Sequence, residues 1–221
     1  MFTGIIEAIG KVKHLNINQQ GTRLTIDTGK LDMSDVKLGD SIATNGICLT
    51  VTTVNANSFT ADVSKETLTR SVMANYKHGQ QVNLEKAMLP TTRFGGHIVS
   101  GHVDGLSKVQ AMSHDGNSID YWLSMDEVIA PYIAEKGSIT IDGVSLTVNS
   151  LTKDSFRLTI VPHTSWQTIM TNYQVGTQVN IEVDVMARYI ERLLLKKDNI
   201  NYTSPSGVTE TLLKQSGFLK G

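Results

Sequence analysis

The chain has 221 residues and balances 20 Lys and Arg against 21 Asp and Glu, a net charge of −1. A polyanion binder carries a basic excess, so nucleic acid is excluded as the main partner. The apolar runs are far too short to span a bilayer, Met1-Phe2-Thr3-Gly4 lacks the basic and apolar regions of a secretory signal, and Cys48 stands alone without a disulfide partner; together these point to the cytoplasm and away from any membrane.

Strand character begins where Thr22, Leu24 and Ile26 alternate with polar or charged neighbours. Residues 47–54 and 58–63 are rich in Val, Thr, Ile and Phe, with Asn55-Ala56-Asn57 as the turn between them. Ser64 is placed to cap a short helix that starts Lys65-Glu66-Thr67-Leu68. After a His78-Gly79 turn, 81–85 alternates again, and 86–94, with Pro90-Thr91-Thr92, reads as a linker. The glycine-rich stretch 94–105 reads by composition as a bulged, barrel-closing strand, with a ligand rim that carries imidazoles as the alternative. Further strands are expected at 138–141, 144–151, 156–161 and 178–183. Pro162 suits the first turn of a second short helix, where its missing N–H needs no partner. Asp184 then caps a helix to residue 197, with Val185, Met186, Tyr189, Ile190, Leu193 and Leu194 on one face. The tail from Asp198 is polar, with a weak helical stretch at 208–215 stopped by Gly217.

These elements come twice. Shifted by about 97 positions, 46–85 overlays 143–182 with roughly 15 of 40 residues identical. Gly46-Ile47-Cys48-Leu49-Thr50-Val51 becomes Gly143-Val144-Ser145-Leu146-Thr147-Val148, and Thr3-Gly4-Ile5-Ile6 faces Ser100-Gly101-His102-Val103. Many short, evenly spaced strands with turn residues between them predict an all-β antiparallel barrel or sandwich in each repeat. The expected divisions are 1–97, 98–184, the helix 185–197 and the tail 198–221. The first repeat has no counterpart of the helix. Its apolar face must bury somewhere, either on its own barrel or, as expected here, against another copy of the chain. A duplicated binding domain offers two similar sites, and chemical differences between them imply two copies of one ligand used in different roles.

No phosphate loop, dinucleotide fingerprint or zinc-binding spacing is present. His97 and His102 are five apart, which on a strand points them to opposite faces and suits proton transfer better than chelation. Cys48 and Ser145 are equivalent, each two residues before a repeated Thr, so a small polar group rather than a thiolate is what both halves share. Thr67 and Thr164 open the two short helices, where their hydroxyls serve either local capping or a heterocycle's polar edge. The repeats diverge at Ile5/His102, Glu7/Asp104, Lys65/Pro162 and Glu66/His163, and Lys136 before Gly137 is matched by Leu38 before Gly39.

The start Met1-Phe2-Thr3-Gly4-Ile5-Ile6, the runs 45–51, 65–68 and 95–105, and Asp142-Gly143-Val144-Ser145-Leu146-Thr147-Val148 together resemble the riboflavin synthase family, over both repeats and the helix. The resemblance implies tandem six-stranded antiparallel Greek-key barrels with a C-terminal amphipathic helix. It implies a homotrimer with each active site between the N-barrel of one subunit and the C-barrel of a neighbour. The implied reaction is dismutation of two molecules of 6,7-dimethyl-8-ribityllumazine, by transfer of a four-carbon unit, to riboflavin and 5-amino-6-ribitylaminouracil, without metal or other cofactor. It makes His102 the first candidate for proton transfer and His97 the second, with Cys48 and Ser145 as ring-edge contacts or helpers of nucleophile addition at C7. Implied ligand contacts in the first barrel are Gly4, Ile5, Ile6, Cys48, Leu49, Thr50, Asp62, Val63, Ser64, Lys65, Glu66 and Thr67. In the second they are Gly101, His102, Val103, Lys136, Ser145, Leu146, Thr147, Val161, Pro162, His163, Thr164 and Ser165. His163-Thr164-Ser165-Trp166 replaces an acidic residue, Thr and Leu of many relatives, so the side chain of His163 inherits no role. The alternative is a non-catalytic, antenna-type binder of lumazine or flavin, in which second-half motifs are eroded; here they are intact.

Overall fold

The computed structural model describes residues 1–18, 21–197 and 210–216. The first barrel contains β1 (Ala8–Asn18), β2 (Gly21–Asp27), β3 (Ser41–Thr44), β4 (Ile47–Asn55), β5 (Ser58–Val63) and β6 (Gln81–Lys86). It closes in the order β1-β2-β5-β4-β3-β6, the return of β5 to β2 being a Greek-key connection. The second barrel contains β7 (Gly105–Asp115), β8 (Ser118–Ser124), β9 (Ser138–Ile141), β10 (Val144–Leu151), β11 (Ser155–Ile160) and β12 (Gln178–Val183), and closes in the same cyclic order six strands on. Closure leaves no unpaired edge. Register breaks that bend the strands recur at matched places, Val12/His14 with Val109/Ala111 and Val51/Thr53 with Val148/Ser150.

The helices follow the sequence closely. Ser64 Oγ accepts the Thr67 N–H at 3.0 Å to cap α1 (Lys65–Arg70), and Pro162 opens α2 (Pro162–Gln167). Val161, expected in the preceding strand, is instead the N-cap of α2, because the following proline favours an extended residue there. Lys86, expected in the linker, ends β6. The stretch 94–105 is not a closing strand before Gly105. It is an irregular arm whose one bridge is Phe2 to Val99, since β7 and β12 already close the barrel. Asp184 Oδ1 accepts the Met186 N–H at 2.9 Å at the start of α3 (Val185–Lys197). Residues 1–187 form one compact unit, and 188–221 a second that holds α4 (Glu210–Gln215). Met186, Tyr189, Ile190, Leu193 and Leu194 are exposed. Most of the polar tail, including Gly217, lies outside the described residues.

Each barrel has its own apolar interior, around Phe59 and Leu24 in the first and Phe156 and Leu158 in the second. The barrels meet on a pseudo-twofold axis. The β3–β4 and β9–β10 turns are Asn45-Gly46 and Asp142-Gly143, all four residues at positive φ, the sequence type that a tight hairpin demands. Gly46 and Gly143 face each other so closely that a Cβ on either would lie 2.7 Å from the other's backbone N. Buried asparagines bind across the axis. Asn83 Nδ2 donates to the Asp142 carbonyl at 2.9 Å and Oδ1 accepts the Ile169 N–H at 2.8 Å, while Asn180 does the same with the Asn45 carbonyl and the Val72 N–H at 2.9 Å each. Asn83→Ala strands both partners of its side chain away from water and is expected to destabilise the protein by about 2–4 kcal/mol. Urea denaturation checks this, and a midpoint equal to wild type would refute the role of the amide as a tie between barrels.

Candidate active site

The residues before each first strand do not stay on their own barrel. The Gly101 carbonyl accepts the Cys48 N–H at 2.9 Å, and the Gly4 carbonyl accepts the Ser145 N–H at 2.8 Å. Val103 packs against the first core and Ile6 against the second, so the two arms are exchanged relative to expectation: the arm of Gly4 and Ile6 docks on the second barrel and that of Gly101 and Val103 on the first. Both glycines have positive φ, +76° for Gly4 and +81° for Gly101, and a Cβ there would lie 2.5 Å from that of Ser145 or 2.6 Å from that of Cys48. Only glycine fits such an approach.

A carboxylate holds each arm in place. Glu85 accepts the N–H and hydroxyl of Thr3 at 2.6 and 2.8 Å and the Gly4 N–H at 3.0 Å. Glu182 accepts the N–H groups of Ser100, Gly101 and His102 at 2.6, 3.0 and 3.0 Å. Burial pushes the Glu182 carboxyl up to about 7, against the pull of its N–H donors and with help from the nearby charge of Asp104. Glu85 is raised for the same first reason. On the axis, burial pushes Asp142 up to about 7, although the Tyr173 hydroxyl donates to it at 2.6 Å and the Asn180 N–H at 2.8 Å.

The first-barrel site is a cavity of about 280 Å³ that brings together Cys48, Ser64, Glu66 and Thr67, expected there, with Ile47, Arg70 and Ser71 and with Gly101, His102 and Val103, expected at the second barrel, which reach the first because the arm before β7 crosses over. Its size is at the small end of ligand pockets. Glu66 pairs with Arg70 at 3.0 Å on the rim. Thr67 Oγ1 bonds Ser64 Oγ at 2.8 Å, so in this state it serves local capping. Leu49 and Val63 are core residues, and Thr50 and Lys65 are exposed. Asp62 stands apart: it pairs with Arg23 at 3.0 Å and lines a separate groove with Asn16 and Asn18.

The equivalent place in the second barrel is furnished differently. Ser145 Oγ lies 2.7 Å from His97 Nδ1, and His97 Nε2 lies 3.1 Å from Thr140 Oγ1. Burial holds the His97 imidazole below its usual range, opposed by the charge of Asp184. The neighbouring glycine lets this chain pass, since a Cβ on Gly96 would lie 2.0 Å from the Thr3 carbonyl and 2.7 Å from Ser145 Cβ. His97 and His102 therefore serve different barrels, because the arm between them crosses from one to the other rather than because strand alternation turns them apart. On α2, Ser165 is buried, Pro162 and Thr164 are half-buried, and Val161 and His163 are exposed. Leu146 packs against the second core, Thr147 is exposed, and Ile5 is exposed beside Gly95. Lys136 is an exposed turn residue at φ 66° whose N–H is held by the Val148 carbonyl. Sequence reasoning misses Thr140, Glu85 and Glu182. The two glutamates carried a signal, identity at matched places in both repeats; Thr140, matched by Ala43, carried none.

Asp142, Glu182 and Glu85 retain protons in the folded state at pH values where the unfolded chain has released them. Stability is therefore expected to fall as pH rises from about 4 to about 7 and to level above that. Urea titrations at pH 5 and pH 8 check the slope, which Asp142→Asn should reduce; a protein more stable at pH 8 would contradict the assignment.

A family profile for the lumazine binding domain matches residues 3–87 and again 100–184. Riboflavin synthase of Photobacterium phosphoreum is 54% identical over 219 residues, 99% of this chain and 100% of that protein. Riboflavin synthase of Bacillus subtilis is 44% identical over 218 residues, with the same coverage of 99% and 100%. Among solved structures, LumP in complex with 6,7-dimethyl-8-(1'-D-ribityl) lumazine superposes with a TM-score of 0.74 at 22% identity, covering 83% of this chain and 99% of that one. Its riboflavin complex gives 0.76 at the same identity and coverage. At that identity the likeness bears on the fold alone.

Proposed function

The chain belongs to the riboflavin synthases, and from that premise we propose how its two barrels divide the reaction. Two molecules of 6,7-dimethyl-8-ribityllumazine react; one gives a four-carbon unit to the other, leaving riboflavin and 5-amino-6-ribitylaminouracil. The acidic step is loss of a proton from a 7-methyl group, whose anion delocalises into the lumazine ring. The substrate is its own electron sink, so the protein's tasks are to juxtapose two rings and to move protons. In this reading each barrel seats one lumazine, with the repeats dividing near residue 97.

The observation that carries the reading is the pair of equivalent sites with unlike chemistry. The first has Cys48 and an exposed His102 at one cavity. The second has Ser145 joined to the buried His97. His102, aimed by the Glu182 clamp on its own N–H, is the proton-transfer residue of the first site. Cys48 and Ser145 contact the ring edge. The reacting pair sits between the N-barrel of one subunit and the C-barrel of a neighbour in a homotrimer joined through the apolar residues of α3. The absence of any helix among the described residues long and apolar enough to cross a membrane accords with a cytoplasmic site of action.

Anaerobic incubation with the lumazine alone should yield one riboflavin for every two lumazines consumed. Fluorescent binding without riboflavin would instead mean an antenna-type protein. His102→Gln should lower turnover about a hundredfold or more, the usual scale of a lost acid–base group, with a much smaller loss of lumazine affinity; equal losses in both would remove the proton-transfer role. Sedimentation equilibrium at micromolar concentration should give a trimer, and a monomer would defeat association through α3.

A further inference from the structure

Ser145, His97 and Thr140 lie in a row, and a row of three such groups admits two placements of hydrogen. In one, Ser145 donates to His97 Nδ1 and the Nε2–H donates to Thr140. That is the base-activated hydroxyl of a nucleophilic dyad. In the other, Thr140 donates to Nε2, the Nδ1–H donates to Ser145 Oγ, and the hydrogen of Ser145 turns away from His97.

The surroundings separate the two. Thr140 is 1% exposed, and His97 Nε2 is the one side-chain hydrogen-bond partner it has among the described residues. If it only accepted, its own O–H would be buried without an acceptor, and the full desolvation cost of that donor would be uncompensated. If it donates, its hydrogen is used. Ser145 is only half-buried and has room to find an acceptor elsewhere. The sheet fixes the frame, because Thr140 on β9 sits directly opposite Ser145 on β10 and Glu182 on β12. A neutral imidazole has one hydrogen to place, and burial favours that neutral form here.

We infer that Thr140 is a positioning residue: it donates to His97 Nε2, His97 donates through Nδ1 to Ser145, and Ser145 presents its hydroxyl hydrogen to a carbonyl oxygen or ring nitrogen of the second-barrel ligand. Ser145 is then a hydrogen-bond donor to substrate and not a serine nucleophile. The ligand's identity rests on the function proposed above; the hydrogen placement does not. The first barrel cannot build this relay, since Ala43 and Cys48 stand at the equivalent positions. The second barrel thus gains a fixed donor, able to stabilise negative charge on a ring edge, that the first lacks.

The test is a long-range proton–nitrogen correlation spectrum of full-length protein carrying nitrogen-15 histidine, at pH 8 without ligand. The His97 signals are identified by their loss in His97→Asn. The expected result is a protonated Nδ1 and a bare Nε2. The opposite tautomer would overturn the inference while leaving the lumazine reaction untouched, because no substrate is in the tube. Thr140→Val, which keeps the shape and removes the hydroxyl, should lose this tautomer and slow turnover about tenfold, the scale of one hydrogen bond. Thr140→Ser should retain the tautomer and stay within about twofold. An unchanged His97 spectrum in Thr140→Val would remove Thr140 from the relay. The wild-type spectrum decides the hydrogen placement even if the valine variant fails to fold.

Discussion

Each barrel is completed by backbone from the other repeat, and the rest of the molecule depends on that exchange. The Gly4 and Gly101 carbonyls accept N–H groups at Ser145 and Cys48 of the opposite barrel. A backbone hydrogen bond of this kind brings the arm into contact with a strand, so the arm residue must be glycine and the facing residue small. Cys48 and Ser145 satisfy the second condition. Their first duty is therefore steric, and their chemistry is added to it. The same docking carries His102 to the first cavity and, one segment earlier, His97 to the second site.

The exchange requires buried polar groups, and the structure satisfies nearly all of them by duplication. Glu85 and Glu182 each gather the N–H groups of one arm. Asn83 reaches from the first barrel to the hairpin turn and the 3₁₀ turn (Ile169–Asn172) of the second, and Asn180 from the second to the hairpin turn and the 3₁₀ turn (Val72–Asn75) of the first. These ties are directional, so they fix one mutual orientation of the barrels in a way that apolar contact alone would not. Symmetry fails at one point on the axis. Asn45 is matched by Asp142, whose carboxyl takes the Tyr173 hydroxyl, whereas the equivalent Tyr76 hydroxyl faces the Asn45 side chain and makes no hydrogen bond among the described residues. The second half of the axis is thus more fully bonded than the first, at the cost of a buried acid.

The proposed division of labour rests on a like departure from symmetry. Gene duplication alone would give two identical pockets and no reason for one ligand to behave differently from another. Here a thiol beside an exposed imidazole in one barrel answers a hydroxyl backed by a buried imidazole in the other. Two copies of a lumazine placed in such sites meet unlike donors and acceptors, and a dismutation needs its two identical reactants to be treated unequally. In the reading proposed above, a handful of side chains on a shared frame supplies that inequality.

The sequence by itself determined much of this. The alternation, the Asn55-Ala56-Asn57 turn, the Ser64 cap and Pro162 are local signals, and strands, hairpins and short helices form from local preference. The repeat doubled each signal and made two like all-β domains legible, while the Greek-key barrel came only with the family resemblance. Cys48, Ser64, Glu66 and Thr67 line one cavity, but His102, expected at the second barrel, joins them there because its arm crosses over. What the sequence could not decide was connection over distance. Composition made 94–105 a closing strand, yet β7 and β12 already pair and leave it free to cross between barrels. Nothing local marks Thr140 as the partner of His97, or Glu182 as the holder of His102, because these contacts join residues 43 and 80 positions apart. They exist only once two closed barrels fix where their neighbouring strands end, and tertiary structure alone settles that geometry.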